Sequence, residues 1–282
     1  MHWYDTNGNP QYEIKKKDGG MRSTTLRDAR KYGWVPSVTS VMDIVGKPGL
    51  EVWKVNKAIE SALTVTRLVT ETDEELSKRI LIHSKQESDR AAKRGVHIHG
   101  ELERYFHSII GSTHVGYHKD HCPHPDSQSD IGKICEATKF VLDANCGEQE
   151  WVPEKSFCYK ELGYGGKVDL YSNAWVIDFK TKDSIEDKKQ LAFDSMAYQL
   201  VGYERGLPGG IGRIQEQAGS GFYGANRRIA NVFISADNPG HVIFHEWPQD
   251  KHELYWNVFS SALQLWKHMK NYRPEEFNNE RS

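Results

Sequence analysis

Two short apolar stretches, GGKVDL at 165–170 and VIDFKTK at 176–182, decide the fold of this chain. Both contain strand-forming residues and a polar turn lies between them, so we predict two neighbouring strands. The carboxylates of Asp169 and Asp178 can then converge at one end of the sheet. Lys180 follows Asp178 by two residues, and residues i and i+2 of a strand point to the same face. We therefore expect two carboxylates and an ammonium group to meet at a sheet edge.

The elements around this pair indicate a mixed α/β fold. Helical spacing of apolar residues predicts a long helix from the capping box at 72–75 to Gly111, interrupted at Gly95, and a second helix over 131–145. This order of elements predicts a mixed sheet flanked by helices. The remaining predictions are strands at 152–160, 166–171, 175–181 and 229–235, a helix from Lys188 to Glu204 and a closing helix from Glu253 to Tyr272.

The region before the long helix predicts an N-terminal arm followed by short helices. Residues 1–32 are polar and contain turn signals typical of a hairpin or arm. Ser37 or Thr39 can cap a short helix, and a further helix follows it. The predicted organisation is an N-terminal arm and helical region at 1–71 and a core at 72–282, with a His-rich insertion at 111–130.

Composition places the chain among ordinary globular proteins. It has 282 residues, of which 38% are hydrophobic and 27% charged, and it has no apolar run long enough to cross a membrane. Four cysteines are too few for a secreted disulfide framework, and the N-terminus lacks the apolar segment of a secretory signal. We therefore expect a cytoplasmic protein without a membrane partner. With 37 basic and 39 acidic residues, any polyanionic partner must be held by a local basic patch.

The residues expected at the sheet edge are those that hydrolysis of a phosphodiester requires. That reaction needs a hard divalent cation on oxygen ligands, a positioned water molecule and positive charge beside the phosphorus. Asp169, Asp178 and Lys180 supply such groups. An exposed Asp–Lys pair on a surface hairpin is the alternative interpretation of the same spacing.

Two helical motifs add candidate side chains, each with an ordinary alternative. His99 lies on the long helix; a neutral imidazole can bind a metal, although a histidine on an inward helix face is also a common core residue. Gln199 and Tyr203 lie one helical turn apart. The amide can bridge a ligand carboxylate and a phosphate oxygen, and the phenol can stack on a base or donate to a phosphate. Taken alone, this pair is also typical of a polar–aromatic helix face.

Four motifs in a fixed order give the sequence a resemblance to a known family. They are G-x-x-x-H at 95–99, G-x-x-D at 166–169, D-x-K at 178–180 and Q-x-x-x-Y at 199–203. In this order and at these spacings, residues 90–236 resemble the RecB-type branch of the PD-(D/E)xK nuclease superfamily. That branch includes phage-encoded exonucleases and the mitochondrial genome-maintenance exonuclease.

The resemblance implies a restriction-endonuclease-like PD-(D/E)xK core with a metal-dependent active site. Lys180 would orient or activate the attacking water and stabilise the transition state. The implied ligands of Mg²⁺ or Mn²⁺ are His99, Asp169, Asp178 and the backbone carbonyl of Phe179, and the implied catalytic residues are Asp169, Asp178 and Lys180. The residues expected to support the site and contact DNA are Gln199, Tyr203, Lys167 and Arg94.

The function expected from this resemblance is a divalent-metal-dependent exodeoxyribonuclease. It would act on a DNA end, favouring single-stranded DNA, in phage replication, recombination or repair, and in the host cytoplasm if phage-encoded. Helices ahead of the core could form an arch through which a free end threads. The alternatives are a structure-specific flap or junction endonuclease and a non-catalytic DNA-binding module. Besides DNA, a recombinase or a single-strand-binding protein is a candidate partner.

Two further features are interpreted as surface. We interpret Glu154, on the first strand of the sheet, as a surface glutamate rather than as an additional acidic residue near the metal. The spacing of the histidines and cysteine in the insertion matches no zinc-finger pattern and favours a solvated loop over a metal site. These residues are His114, His118, His121, Cys122 and His124.

Overall fold

The fold is built around a five-stranded sheet, seen in a computed structural model that describes residues 1–46, 48–111, 126–186, 191–209 and 226–279. The His-rich insertion therefore lies largely outside the described residues. The strands are β1 (Trp3–Tyr4), β2 (Glu13–Lys15), β3 (Met21–Ser23), β4 (Val35–Pro36), β5 (Val152–Tyr159), β6 (Tyr164–Tyr171), β7 (Trp175–Lys182), β8 (Arg228–Ser235) and β9 (Val242–Glu246). The helices are α1 (Leu26–Tyr32), α2 (Val38–Met42), α3 (Pro48–Thr64), α4 (Asp73–Gly111), α5 (Asp130–Cys146), α6 (Asp194–Gly206), α7 (His252–Lys270) and α8 (Pro274–Asn279), with a 3₁₀ turn at Gln249–Lys251.

The sheet is mixed, as the sequence predicts. Its strand order is β5-β6-β7-β8-β9, and only the β7–β8 pair is parallel among these neighbours. Helix α6 makes the connection between the two parallel strands. The fifth strand of this sheet, β9, was not predicted. It is a short strand at the edge of the sheet, and its extended conformation depends on pairing with β8.

Helices cover both faces of the sheet. The neighbouring residues Val176 and Ile177 of β7 point to opposite faces, and both are fully buried. Val176 belongs to the core cluster that contains residues of α6 and α7, including Leu200. Ile177 belongs to the cluster that contains residues of α4 and α5, including Leu142. Burial on both faces explains the nearly continuous apolar run of β7.

Helix α4 is one continuous helix, and the predicted interruption at Gly95 is wrong. It runs over 39 residues and begins at the predicted capping box, in which the Thr72 N–H and hydroxyl both donate to Glu75. Gly95 lies beside β7, and a Cβ placed there would be 3.9 Å from the Cβ of Thr181. One interior glycine costs a helix only about 1 kcal/mol, which packing against the sheet can offset.

Helix α6 begins later than predicted. It starts at Asp194 rather than Lys188, because Phe193 is extended and forms the N-cap position. Residues 187–190 lie outside the described part of the chain.

The N-terminal arm contains the expected hairpin, formed by β2 and β3. The short helix α1 follows it and was not predicted. Ser37 caps α2, as expected, by accepting a hydrogen bond from the backbone N–H of Ser40 at 3.0 Å. The arm also reaches the core, because Trp3 is fully buried and lies 6.0 Å from the ring of Trp266 in α7. The division of the chain at residue 71 stays a prediction.

In the described part of the chain, none of the helices combines the length and apolar content that a bilayer span requires. Even α4, the longest helix, carries charged residues throughout its first turns.

Replacing Gly206 by alanine should destabilise the fold. A Cβ at Gly206, the last residue of α6, would overlap the ring of Phe157, which is buried in the core. Overpacking of this kind costs about 1–3 kcal/mol. A urea denaturation curve of Gly206→Ala should therefore show a lower midpoint than the unmodified protein.

Gly100→Ala is the matched control, because a Cβ at that position of α4 meets no atom within 4 Å. Alanine should stabilise the helix there by up to about 1 kcal/mol. Equal midpoints for the two variants would contradict close packing of α6 against Phe157.

Candidate active site

The first site carboxylate lies where β6 and β7 separate. Among the described residues, β6 and β7 are paired at Leu170↔Ile177 and Tyr171↔Val176. Beyond these pairs, Asp169 Oδ2 accepts a hydrogen bond from the backbone N–H of Phe179 at 2.7 Å. The side chain of Asp169 thus takes the place of a main-chain acceptor on the neighbouring strand.

The second carboxylate, Asp178, is held by the two side chains that the sequence places beside it. Lys180 Nζ lies 2.7 Å from Asp178 Oδ2, as the i, i+2 spacing predicts. Gln199 Nε2, from α6, donates to Asp178 Oδ1 at 3.0 Å. Lys180 Nζ also donates to Gln199 Oε1 at 3.4 Å. Three residues from a strand and a helix therefore form one hydrogen-bonded group.

Tyr203 completes this group from the next turn of α6. Gln199 Nε2 donates to the Tyr203 hydroxyl at 2.9 Å, so the amide joins the phenol to Asp178. Burial, followed by the charges of Asp178 and Asp169, raises the pKa of Tyr203 well above its usual value. The phenol therefore stays protonated and can donate its own proton.

His99 approaches the site from α4. Its Nδ1 lies 3.6 Å from Asp169 Oδ2, and its ring meets the ring of Phe179 edge-on at 6.1 Å. Burial is the main cause that lowers the pKa of His99 below its usual value. The imidazole is therefore neutral near pH 7, and the neutral form is the one that binds metal ions.

The electrostatics of the site favour a cation. Burial first, and the nearby charge of Asp178 second, raise the pKa of Asp169 to about 7. The charges of Lys180 and Lys167 and the bond from Phe179 only partly oppose this shift. Two neighbouring carboxylates with incomplete compensation form a site in which positive charge is stabilising.

Asn231 is a site residue that the sequence reasoning missed. It lies on β8, directly opposite Asp178 in the parallel register, and its Nδ2 donates to Asp178 Oδ2 at 2.7 Å. The indole N–H of Trp247 donates to Asn231 Oδ1 at 2.8 Å and fixes the amide orientation. A fully buried asparagine within the apolar run of β8 is the signal that could have identified it.

Glu154 is not a surface residue, and its interpretation as one is wrong. It lies on β5 between the pairs Pro153↔Leu170 and Lys155↔Val168, which places it opposite Asp169. Its side chain is 12% exposed and forms an ion pair with Lys167. The backbone of Glu154 has a φ of 52°, which marks a local distortion of β5 at this residue.

Arg94 is already paired with carboxylates. Its guanidinium donates to Asp183 at 2.5 Å and to Asp237 at 2.8 Å, and these bonds join α4 to the ends of β7 and β8. The predicted contacts of Arg94 and Lys167 with DNA stay predictions.

The expected metal ligands are near one another, but the protein's own donors engage them. Among the residues that the structure describes, no group of three or more His, Cys, Asp or Glu side chains is arranged to hold a metal ion. Asp178 accepts bonds from Lys180, Gln199 and Asn231. The donor set itself, one imidazole and two carboxylates, suits Mn²⁺ and Mg²⁺. The histidines of the insertion, from His114 to His124, lie outside the described residues.

Comparison with known proteins assigns no family to the chain. A scan against models of protein families found no match. A search of curated proteins also found no significant similarity. The case for a function therefore depends on the site geometry and the sequence motifs.

Removing the charge of Asp178 should lower the pKa of Asp169 in the metal-free protein. The neighbouring negative charge is the second largest cause of the raised pKa, so Asp178→Asn should shift the titration of Asp169 below pH 7. Lys180→Met should shift it in the opposite direction, because the ammonium group lowers this pKa. Carboxyl ¹³C NMR in the presence of chelator measures both shifts. Shifts in the same direction for both variants would contradict the described electrostatics.

Proposed function

We propose that this chain is a divalent-metal-dependent deoxyribonuclease that acts on DNA ends. The observation that carries the proposal is the meeting of His99, Asp169, Asp178 and Lys180, which come from α4, β6 and β7. Gln199 joins them from α6. Residues that lie up to a hundred positions apart in the sequence thus form one polar cluster at the point where two strands separate.

We also propose that the fold is of the PD-(D/E)xK type, and the placement of these residues in the sheet supports this. The two aspartates lie on adjacent antiparallel strands, β6 and β7, and α6 connects β7 to the parallel strand β8. Helices pack on both faces of this sheet. This arrangement agrees with the mixed, helix-flanked core that the four motifs imply.

The proposed cofactor is Mg²⁺ or Mn²⁺, held by His99, Asp169 and Asp178 with the backbone carbonyl of Phe179. A bound divalent cation would supply a Lewis acid for the phosphate and lower the pKa of the attacking water. The neutral imidazole of His99 and the repulsion between the two carboxylates fit this role. Lys180 and Asn231 both contact Asp178 Oδ2, so a cation bound to that oxygen would compete with these two donors.

The remaining side chains position the reacting groups. The Lys180 ammonium places positive charge beside the site and can donate to water or to a phosphate oxygen. Gln199 holds Asp178 and Tyr203 in a fixed relation through its two amide hydrogens. Asn231 prevents rotation of the Asp178 carboxylate from the opposite strand. These hydrogen bonds hold the charged groups in place before the substrate binds. The groups can then stabilise a transition state without moving during the reaction.

The helical hairpin of α3 and α4 supports action on ends. Helix α3 begins beside the ring of Phe193, which would lie 3.1 Å from a Cβ at Gly49. Helix α4 passes Thr181 and binds Asp183 through Arg94. Both helices therefore contact the core near the end of β7, since Lys182 Nζ lies 5.7 Å from the centre of the Phe193 ring. From Asp73 to Gly95, α4 extends about 33 Å at 1.5 Å per residue, and we propose that a strand with a free end is guided along this hairpin to the site.

Asp178→Asn and Lys180→Ala should separate cleavage from DNA binding. Loss of either group should reduce cleavage of single-stranded DNA in Mg²⁺ by at least about 10²-fold, the scale for removing one transition-state contact. Lys180→Ala should bind labelled DNA as the unmodified protein does, since the ammonium acts in the reaction. The control is Lys139→Ala, which removes an exposed ion pair with Asp143 on α5. Wild-type rates for either site variant would place the active site elsewhere.

Linear and circular single-stranded DNA should be distinguished by the protein. A strand that threads through the hairpin needs an end, so linear DNA should be degraded with Mg²⁺ or Mn²⁺ while circular DNA survives. Chelator should stop the reaction. Degradation of the circle at a comparable rate would support the flap or junction endonuclease instead, and binding without any cleavage would support a non-catalytic module.

A further inference from the structure

An exposed aromatic pair lies on the N-terminal arm. The side chain of Tyr12 is 38% exposed, although most aromatic residues of the chain are buried. The ring of His2, itself exposed, lies 4.8 Å from the ring of Tyr12 with a tilt of 44°. The two rings form a small aromatic surface, which we call the arm platform.

The arm platform is held in a fixed position. The Tyr12 hydroxyl shares a hydrogen bond of 2.9 Å with the hydroxyl of Tyr4, which is buried. The Tyr12 carbonyl accepts from the backbone N–H of Thr24 at 3.0 Å. At the other side of the platform, the backbone N–H of His2 donates to Ser40 Oγ at 3.0 Å. A ring that is ordered in advance loses little conformational entropy when a ligand binds to it.

The arm platform lies near the candidate active site, at the start of β6. Tyr4 fills the space beside Gly165, where a Cβ would be 3.0 Å from the Cβ of Tyr4. Lys167 and Asp169 follow Gly165 at intervals of two residues, each about 6.6 Å along a strand. Gly165, which Tyr4 contacts, therefore lies on the order of 13 Å from Asp169 along the strand. The ring of Tyr12 lies 6.1 Å from the ring of Tyr4.

Lys167 adds a feature that points to a nucleic-acid strand. Lys167 lies between Gly165 and Asp169 on β6, and its side chain is 36% exposed despite the ion pair with Glu154. Single-stranded nucleic acids are bound by aromatic rings that stack on bases together with basic groups that contact phosphates. One continuous DNA strand could therefore place a base on the aromatic ring, a phosphate at the ammonium group and a phosphodiester at the proposed cleavage site.

We propose that Tyr12, supported by His2, stacks on a base of the single-stranded DNA whose phosphodiester lies at Asp169 and Asp178. This proposal rests on the proposed nuclease function and adds a base-binding subsite to it. Stacking on a tyrosine ring is tolerant of base identity, since every base has a π-face. The subsite therefore contributes to affinity and to the position of the strand, and it imposes no sequence preference.

Tyr12→Ala should weaken binding of a fluorescently labelled single-stranded oligonucleotide by roughly tenfold, within the range for loss of one stacked base. Binding is measured by anisotropy in chelator, so that no strand is cut. Tyr12→Trp and Tyr12→Phe should keep nearly wild-type affinity because they keep a ring. The control is Tyr32→Ala, since Tyr32 is 43% exposed but already stacks on Trp34 at 4.9 Å.

Oligonucleotides with a single abasic nucleotide identify the stacked base. The unmodified protein should lose roughly tenfold in affinity when the abasic nucleotide occupies one position, whereas Tyr12→Ala should be insensitive to the same change. The proposal would be overturned if the loss of affinity caused by Tyr12→Ala and the loss caused by the abasic nucleotide multiply when the two changes are combined. Such a result would show that Tyr12 and the base act independently. If Tyr12→Ala does not fold, the abasic series on Tyr12→Leu gives the same test, because leucine removes the ring and keeps apolar bulk.

The experiment separates failure of this inference from failure of the proposed function. If the unmodified protein cleaves DNA but Tyr12→Ala binds and cleaves equally well, the base-binding subsite is wrong and the nuclease proposal stands. If the unmodified protein neither binds nor cleaves DNA, the nuclease proposal is wrong and the subsite falls with it.

Discussion

The candidate site depends on the hydrogen bond between the Phe179 backbone N–H and the Asp169 carboxylate. Strands β6 and β7 are paired for two residues and then separate, which opens the sheet at its centre. The carboxylate bridges the gap and satisfies a main-chain donor that the neighbouring backbone no longer reaches. A buried N–H without an acceptor is costly, so the opening and the acidic side chain stabilise one another. The space that results is where His99, Asp178 and Lys180 meet.

Acidic and basic side chains are nearly equal in number, which gives a net charge of −2, and many of them interact with close neighbours. Several basic residues that a phosphate groove might use are committed elsewhere: Arg228 forms an ion pair with Glu246, and Arg227 donates to the backbone oxygens of Ser172 and Pro208. Near the end of β7, Lys180 is bound to Asp178, and burial first and Lys180 second lower the pKa of Lys182. Among the described residues, the two arginines and Lys180 are therefore held by acceptors of the protein itself.

The sequence predicts the parts of the site that follow from local geometry. Lys180 lies beside Asp178 because strand residues two apart share a face, and Gln199 contacts Tyr203 because residues four apart share a helix face. Asn231 and Glu154 were missed or misread, since their positions depend on strand register and on a distortion of β5. The same limit applies to β9 and to the continuity of α4, where tertiary contacts outweigh the local preference of glycine.

Helix α4 is continuous, although the sequence predicts a break at Gly95, and it therefore connects the region beside α3 with the candidate site. In its first half, His83 Nδ1 lies 3.2 Å from Ser61 Oγ of α3, and its second half carries His99 to the carboxylates. Because α4 is continuous, an unbroken series of main-chain hydrogen bonds connects its two halves. The position of the imidazole is consequently tied to the packing of the same helix against α3, roughly four turns away.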